Sequence, residues 1–190
     1  MIFSKKDIQE VLPADVTGRS VAHPKRWLVA LVRISHEKKT SERLSKMGIE
    51  NFLPVQQAVH QWSDRRKVVE RVLLPMMIFV HVDMYEQKEV LTLGSISRYM
   101  VLRGESTPAV IPDEQMHRFK FMLDYSDEAI NMSTTPLSPG TKIKVIKGPL
   151  SGLQGELVTV NGKSKVAVRL TMLGCAFVDI PVGCVEPLEK

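Results

Sequence analysis

Apolar and polar positions along this chain fall into two regimes. Between Trp27 and Leu123, dense apolar runs alternate with segments of helical spacing. Between Lys142 and Leu188, only short period-2 runs occur. Trp27 to Val32 is apolar on both faces, which predicts a central strand covered on each side. From His36 to Met47, the residues His36, Thr40, Leu44 and Met47 line up at helical spacing. Ser35 is placed to cap that helix and Gly48 to end it. Ile49 to Trp62 predicts a strand, Ser63 to Lys67 a basic hairpin tip, and Val68 to Leu74 the return. Pro75 to Val80 is a further apolar strand. Tyr85 to Leu93 fits a short helix closed by Gly94, and Ile96 to Leu102 another strand. Pro112-Asp113-Glu114 opens a last helix, its acidic residues favourably placed against the dipole and its apolar face formed by Met116, Phe119, Met122 and Leu123.

The second regime contains no helical pattern. Ile143 and Val145 alternate with Lys142 and Lys144, and Gly148-Pro149 breaks that run. Asn161-Gly162 separates two strand-like runs, a strong hairpin signal. Val166, Val168 and Leu170 share one face, and Ala176 to Ile180 alternates before Pro181 stops it. Four or five short strands in so few residues predict a small, bent β-barrel. Residues 126–139 lack periodicity and carry two prolines, which reads as an interdomain linker. Residues 1–26 are broken by Pro13, Gly18 and Pro24 and read as an extension. The expected organisation is α+β: an α/β sandwich over 27–125, the linker over 126–139, and a β-barrel over 140–190.

Length and charge narrow the function classes. A chain of 190 residues suits one or two domains, and a net charge of +5 favours polyanionic neighbours. Of the two cysteines, Cys175 and Cys184, neither is followed by a histidine, so a zinc site is not expected and both are taken as reduced, packed thiols. With no signal-peptide pattern and no membrane-length apolar run, a soluble cytoplasmic protein is expected. Gly162-Lys163-Ser164 imitates the end of a phosphate-binding loop. Leu157 stands where that loop needs glycine, and the motif sits at a hairpin rather than opening a helix. His36 reads as a helix residue, and Asp64, Asp83 and Glu86 form no acid cluster. Neither catalysis nor a cofactor is expected.

The run strand, Gly148-to-Gly155 turn, strand, Asn161-Gly162 hairpin and Met172-Leu173-Gly174 resembles a KOW module. Preceded by the Trp27 strand, a charged helix, a basic hairpin and the Leu74-Pro75 strand, it resembles the NusG family of transcription elongation factors from Trp27 to Pro187. Arg103 to Pro112 is more similar to specialised antitermination paralogues of the RfaH and UpxY kind than to housekeeping members. Two departures stand out: Pro75-Met76-Met77 replaces the family's Pro-Gly-Tyr, and Leu173-Gly174-Cys175 lacks an arginine after its glycine.

The resemblance implies an NGN-like domain that docks the β′ clamp helices of RNA polymerase through Leu31, Leu74, Met77 and Phe79. For Leu31 and Phe79 a purely structural role weighs equally. Such docking would close the clamp and suppress pausing or termination at particular operons, such as those for capsular or surface polysaccharide. It also implies nucleic-acid contacts by Arg65, Arg66 and Lys67, although a solvated hairpin tip explains these as well. Non-template DNA would be read near Gln87, Lys88 and Arg98. Met172, Leu173 and Cys175 would meet a ribosomal protein or Rho, and a monomer is expected. Competing readings are a general NusG factor, and a KOW-based RNA-binding or ribosome-associated protein using Lys142, Lys144, Lys147, Lys163 and Lys165. Glycines throughout 148–162 disfavour helix, so the barrel is expected to stay a barrel.

Overall fold

The computed structural model describes residues 23–61, 66–134 and 137–188; side chains are described except at 58–61 and 66–68. The elements run β1 (Arg26–Val32), α1 (Glu37–Lys46), β2 (Glu50–Phe52), β3 (Val55–Gln61), β4 (Arg66–Val72), β5 (Met77–Val82) and α2 (Met84–Leu91). They continue with β6 (Ile96–Tyr99), β7 (Val110–Ile111), α3 (Asp113–Tyr125), β8 (Asn131–Ser133), β9 (Thr141–Val145), β10 (Gln154–Val160), β11 (Lys163–Leu170), β12 (Gly174–Asp179) and β13 (Val185–Pro187). The fold is α+β.

The first sheet has the order β2-β5-β1-β6, with β7 also pairing β1, and every pairing is antiparallel. β1 is its centre because its side chains are apolar on both faces. Leu28, Ala30 and Val32 pack with Ile78, Val80 and Val82 beneath Leu44 of α1 and Val90 of α2. Trp27 and Val29 pack with Phe79 against Met116, Phe119 and Met122 of α3 on the other face. Each face therefore carries helices, which is why β1 shows no alternation.

Local chemistry sets the boundaries. α2 opens on a capping box: the Asp83 carboxylate accepts from the amides of Tyr85 and Glu86, and Glu86 Oε2 accepts from the Asp83 N–H. Gly48 ends α1 region at φ 77°. Ser35 does not cap α1: it lies at φ 62°, and the N-cap position is His36, without a side-chain cap bond. The single strand expected over Ile49 to Trp62 is two. β2 pairs β5, whereas β3 leaves the sheet at Leu53-Pro54 to form a separate ribbon with β4. The strand expected to reach Leu102 ends at Tyr99, followed by an isolated bridge between Val101 and Pro108.

The second half is a six-stranded antiparallel sheet, ordered β13-β9-β10-β11-β12-β8. Its inner residues are the expected Ile143, Val145, Val166, Val168, Leu170, Ala176 and Val178. Asn161 and Gly162 both take positive φ at the β10–β11 turn, as the hairpin signal demands. Within the stretch read as a linker, Ile130 is 2% exposed and Asn131–Ser133 pairs with β12. Gly174 permits that pairing, since a Cβ there would stand 1.9 Å from the Ser133 carbonyl oxygen.

The two sheets meet over α3. Gln115 Oε1 accepts from the Thr171 N–H (2.8 Å) and Oγ1 (3.0 Å), and Arg118 Nη2 donates to Gln154 Oε1 at 3.2 Å. Gln56 donates to the Glu128 carbonyl and accepts from the Ile130 amide, both at 3.1 Å.

Candidate interaction surface

In the antiparallel register of β1 and β5, Leu31 lies opposite Met77 and Val29 opposite Phe79. Odd-numbered positions of both strands share the α3 side of the sheet. Phe79 is fully buried there, its ring 6.0 Å from those of Phe52 and Phe119. Leu74 is 6% exposed in the same cluster. Leu31 and Met77 are only half-buried, so the apolar face emerges at the solvent at this end. Of the four apolar residues singled out in the sequence, Leu31 and Met77 are therefore surface positions, with Leu74 and Phe79 the support beneath them.

Two residues outside the expected polymerase-binding set extend this end. Ile34 and Met76 are exposed large apolar side chains in the turns that leave β1 and enter β5. The Val32 N–H donates to the Met76 carbonyl at 2.8 Å, tying the turns together. Ile34, beside Ser35, belongs to no periodic run, and Met76, inside the apolar run expected as a strand from Pro75, lies instead in the turn before β5, which starts at Met77. Arg98, exposed on β6, pairs with Leu31 across the strand on its other side and borders the patch with positive charge.

A basic cleft of about 340 Å³ opens beside this end, lined by Arg33, His36, Lys39, Thr40, Arg43, Gly94 and Ser95. Among the described residues none of its cations is salt-bridged, whereas neighbouring Lys38 is held by Glu70 at 2.5 Å. Uncompensated cations around a concavity suit phosphate groups. The helical spacing of His36, Thr40, Leu44 and Met47 leaves Lys39 and Arg43 on other faces of α1. That Arg33 and the Gly94-Ser95 turn close the cleft depends on pairing across more than fifty residues.

The other predicted nucleic-acid residues scatter. Lys88 is exposed in the last turn of α2, which Tyr99 ties to β6 by donating its hydroxyl to the Gln87 carbonyl at 3.0 Å. Burial pushes the Tyr99 phenol well above its usual range. Arg65 lies outside the described residues; Arg66 and Lys67 are described only as backbone, paired with Gln61 and His60.

In the second half, Met172 is half-buried in a turn at φ 69°, while Leu173 is 3% and Cys175 1% exposed. Leu173 and Cys175 are thus core residues, and burial pushes the Cys175 thiol up. Lys142, Lys144, Lys147 and Lys163 are exposed, but Lys165 is buried against Asp179 and Phe177. Arg169 grips Glu156 through Nε and Nη2 at 2.8–2.9 Å and donates to the carbonyls of Leu137 and Ser138. That guanidinium, together with the Gly140 amide, holds the Glu156 carboxyl below its ordinary range. Among the described residues no three His, Cys, Asp or Glu side chains assemble a metal site, and no helix is long and apolar enough to cross a membrane.

At one end of the antiparallel sheet, apolar side chains thus lie beside cations that have no salt bridge among the described residues. The family model described as transcription termination factor nusG matches residues 25–120, half of the chain. The chain belongs to the NusG family of transcription factors, whose members are generally non-enzymatic. No curated protein matches it. Among solved structures it is similar to Thermotoga maritima NusG, in a study of domain interaction, at 18% identity and TM-score 0.49, covering 87% of this chain and 98% of that one. It is also similar to two conformations of an MjSpt4:Spt5 complex. Conformation A gives 12% identity and TM-score 0.29, covering 86% of this chain and 99% of that one. Conformation B gives 15% and 0.29, covering 86% and 97%.

Proposed function

We propose that this chain is a transcription elongation and antitermination factor that binds RNA polymerase through its first domain. The observation that carries the reading is the apolar sheet end in the half of the chain that matches the family, with Ile34 and Met76 exposed and Leu31 and Met77 half-buried. Exposed clusters of this kind mark partner surfaces. Docked on the β′ clamp helices, the domain bridges the polymerase cleft, holds the clamp closed and suppresses pausing or termination, with no covalent step. The specialised role, at operons such as those for capsular or surface polysaccharide, rests on the Arg103 to Pro112 resemblance, with the N-terminal extension as a lesser support.

The Arg33, His36, Lys39 and Arg43 cleft, with Arg98 and Lys88, supplies a salt-dependent and largely sequence-blind grip on exposed DNA. Residues 140–190 act as the KOW module, a small SH3-like barrel that engages a ribosomal protein or Rho around Met172. The factor works as a cytoplasmic monomer. Exposed Lys142, Lys144, Lys147 and Lys163 favour a second reading, in which the KOW module binds RNA directly.

The deciding experiment is retention of bacterial RNA polymerase by the immobilised full chain, with Leu31→Asp and Met77→Asp in parallel. Retention by the wild type and its loss in both folded variants is the expected outcome. Failure of the folded wild type to retain polymerase at low salt overturns the reading in favour of RNA.

A further inference from the structure

At the exposed sheet end, two non-glycine residues occupy the left-handed region: Ser35 at φ 62° and Met76 at φ 63°. A small polar residue tolerates that conformation, but a long unbranched one is unfavourable there and glycine is the ordinary occupant. Met76 is nevertheless fixed from both sides. Its N–H donates to Glu37 Oε1 at 2.9 Å, and its carbonyl accepts from Val32 at 2.8 Å. Glu37 is itself only 7% exposed, so a carboxylate is withdrawn from water to hold one backbone amide.

The side chain so held does not fill the core. Met76 is 47% exposed, next to Ile34 at 70%. Fold stability explains neither the methionine nor its exposure, because a glycine would make the same turn. Backbone strain retained at an exposed position is a mark of function. An unbranched thioether is suited to moulding itself onto a partner's apolar surface.

We propose that Met76 is a specificity-determining contact of the docking face and that Glu37 is the residue positioning it. The proposal rests on reading that face as the polymerase-binding surface. The partner surface it fits is apolar with acidic flanks, since Arg98 borders the patch beside Leu31. Glu37 reaches Met76 from the first turn of α1, the helix that carries Lys39 and Arg43 of the basic cleft. The apolar and cationic surfaces are thereby held in one fixed relation.

The test measures polymerase affinity and melting temperature of the full chain carrying Met76→Gly, Glu37→Ala or Glu37→Gln. Met76→Gly is expected to melt no lower than the wild type yet bind roughly tenfold more weakly. Glu37→Ala is expected to weaken binding, and Glu37→Gln, which keeps an acceptor for the Met76 amide, to restore most of it. A residue of purely structural importance would move stability and affinity together. Wild-type affinity in Met76→Gly, with Met77→Asp still abolishing binding, overturns this proposal and leaves the docking face standing. Absence of binding by the wild type overturns both.

Discussion

Phe79 and Met77 are two residues apart on one strand and point to the same side, yet they do different work. Phe79 has no exposed surface and is enclosed by Phe52 and Phe119. Removing it leaves a cavity that α3 and the sheet cannot close. Phe79→Ala is therefore expected to destabilise the protein by about 3–5 kcal/mol, measured by urea unfolding. Loss of binding in that variant would report unfolding and say nothing of contact. The Pro75 to Val80 run showed both residues as apolar but could not rank them, because burial at that point depends on how far α3 reaches along the sheet. The Leu173-Gly174-Cys175 segment shows the same limit. Its place in the resemblance implied partner contacts despite the missing arginine, and the Leu173 and Cys175 side chains are buried.

At the scale of elements, periodicity located most strands and the three α-helices of the described residues, since each buries one face or two against a neighbour. It failed where pairing is decided at a distance. Nothing in Ile49 to Trp62 marked the departure at Pro54, and Asn131-Met132-Ser133 is too short and polar to announce a strand. The basic cleft escaped for the same reason, its lining being shared between the end of β1, one face of α1 and a turn fifty residues on. The Glu156–Arg169 pair is another such tie, joining β10 to β11 and anchoring the carbonyls of Leu137 and Ser138. Hydrogen bonding to Arg169 lowers the Glu156 pKa below its ordinary 4.5 in the folded protein. The stabilisation is thus fully present above that value and is lost as pH falls through the depressed folded value. The melting temperature should hold from neutrality to about pH 5 and then drop, with the acid loss smaller in Glu156→Gln.

Across the whole molecule, the buried apolar cluster does not stop at the end of the first sheet. It continues from Trp27, Val29 and Phe79 through α3 and Ile130 to Ile143, Val166 and Val178 of the second. Gln115, Arg118 and Gln56 add hydrogen bonds across the same junction. Elements that share a core unfold together. A single calorimetric transition with equal van't Hoff and calorimetric enthalpies is expected, and Gln115→Ala should lower it, because the Thr171 amide then loses its partner. Two separate transitions would show instead that the halves are energetically independent. The sequence pattern changes between the two halves but carries no sign of the junction: Gln115 and Thr171 are unremarkable polar residues until they meet.

β8 has a practical consequence for anyone dissecting this protein. It forms one border of the second sheet, although it belongs to the stretch joining the halves. A fragment begun at residue 140 would leave behind the strand that shields β12. The amides and carbonyls facing Asn131–Ser133 would then be bare, and a bare strand border recruits other chains. Clumping of such a fragment would be an artefact of where the gene was cut. A faithful excision of the second half begins ahead of Ile130.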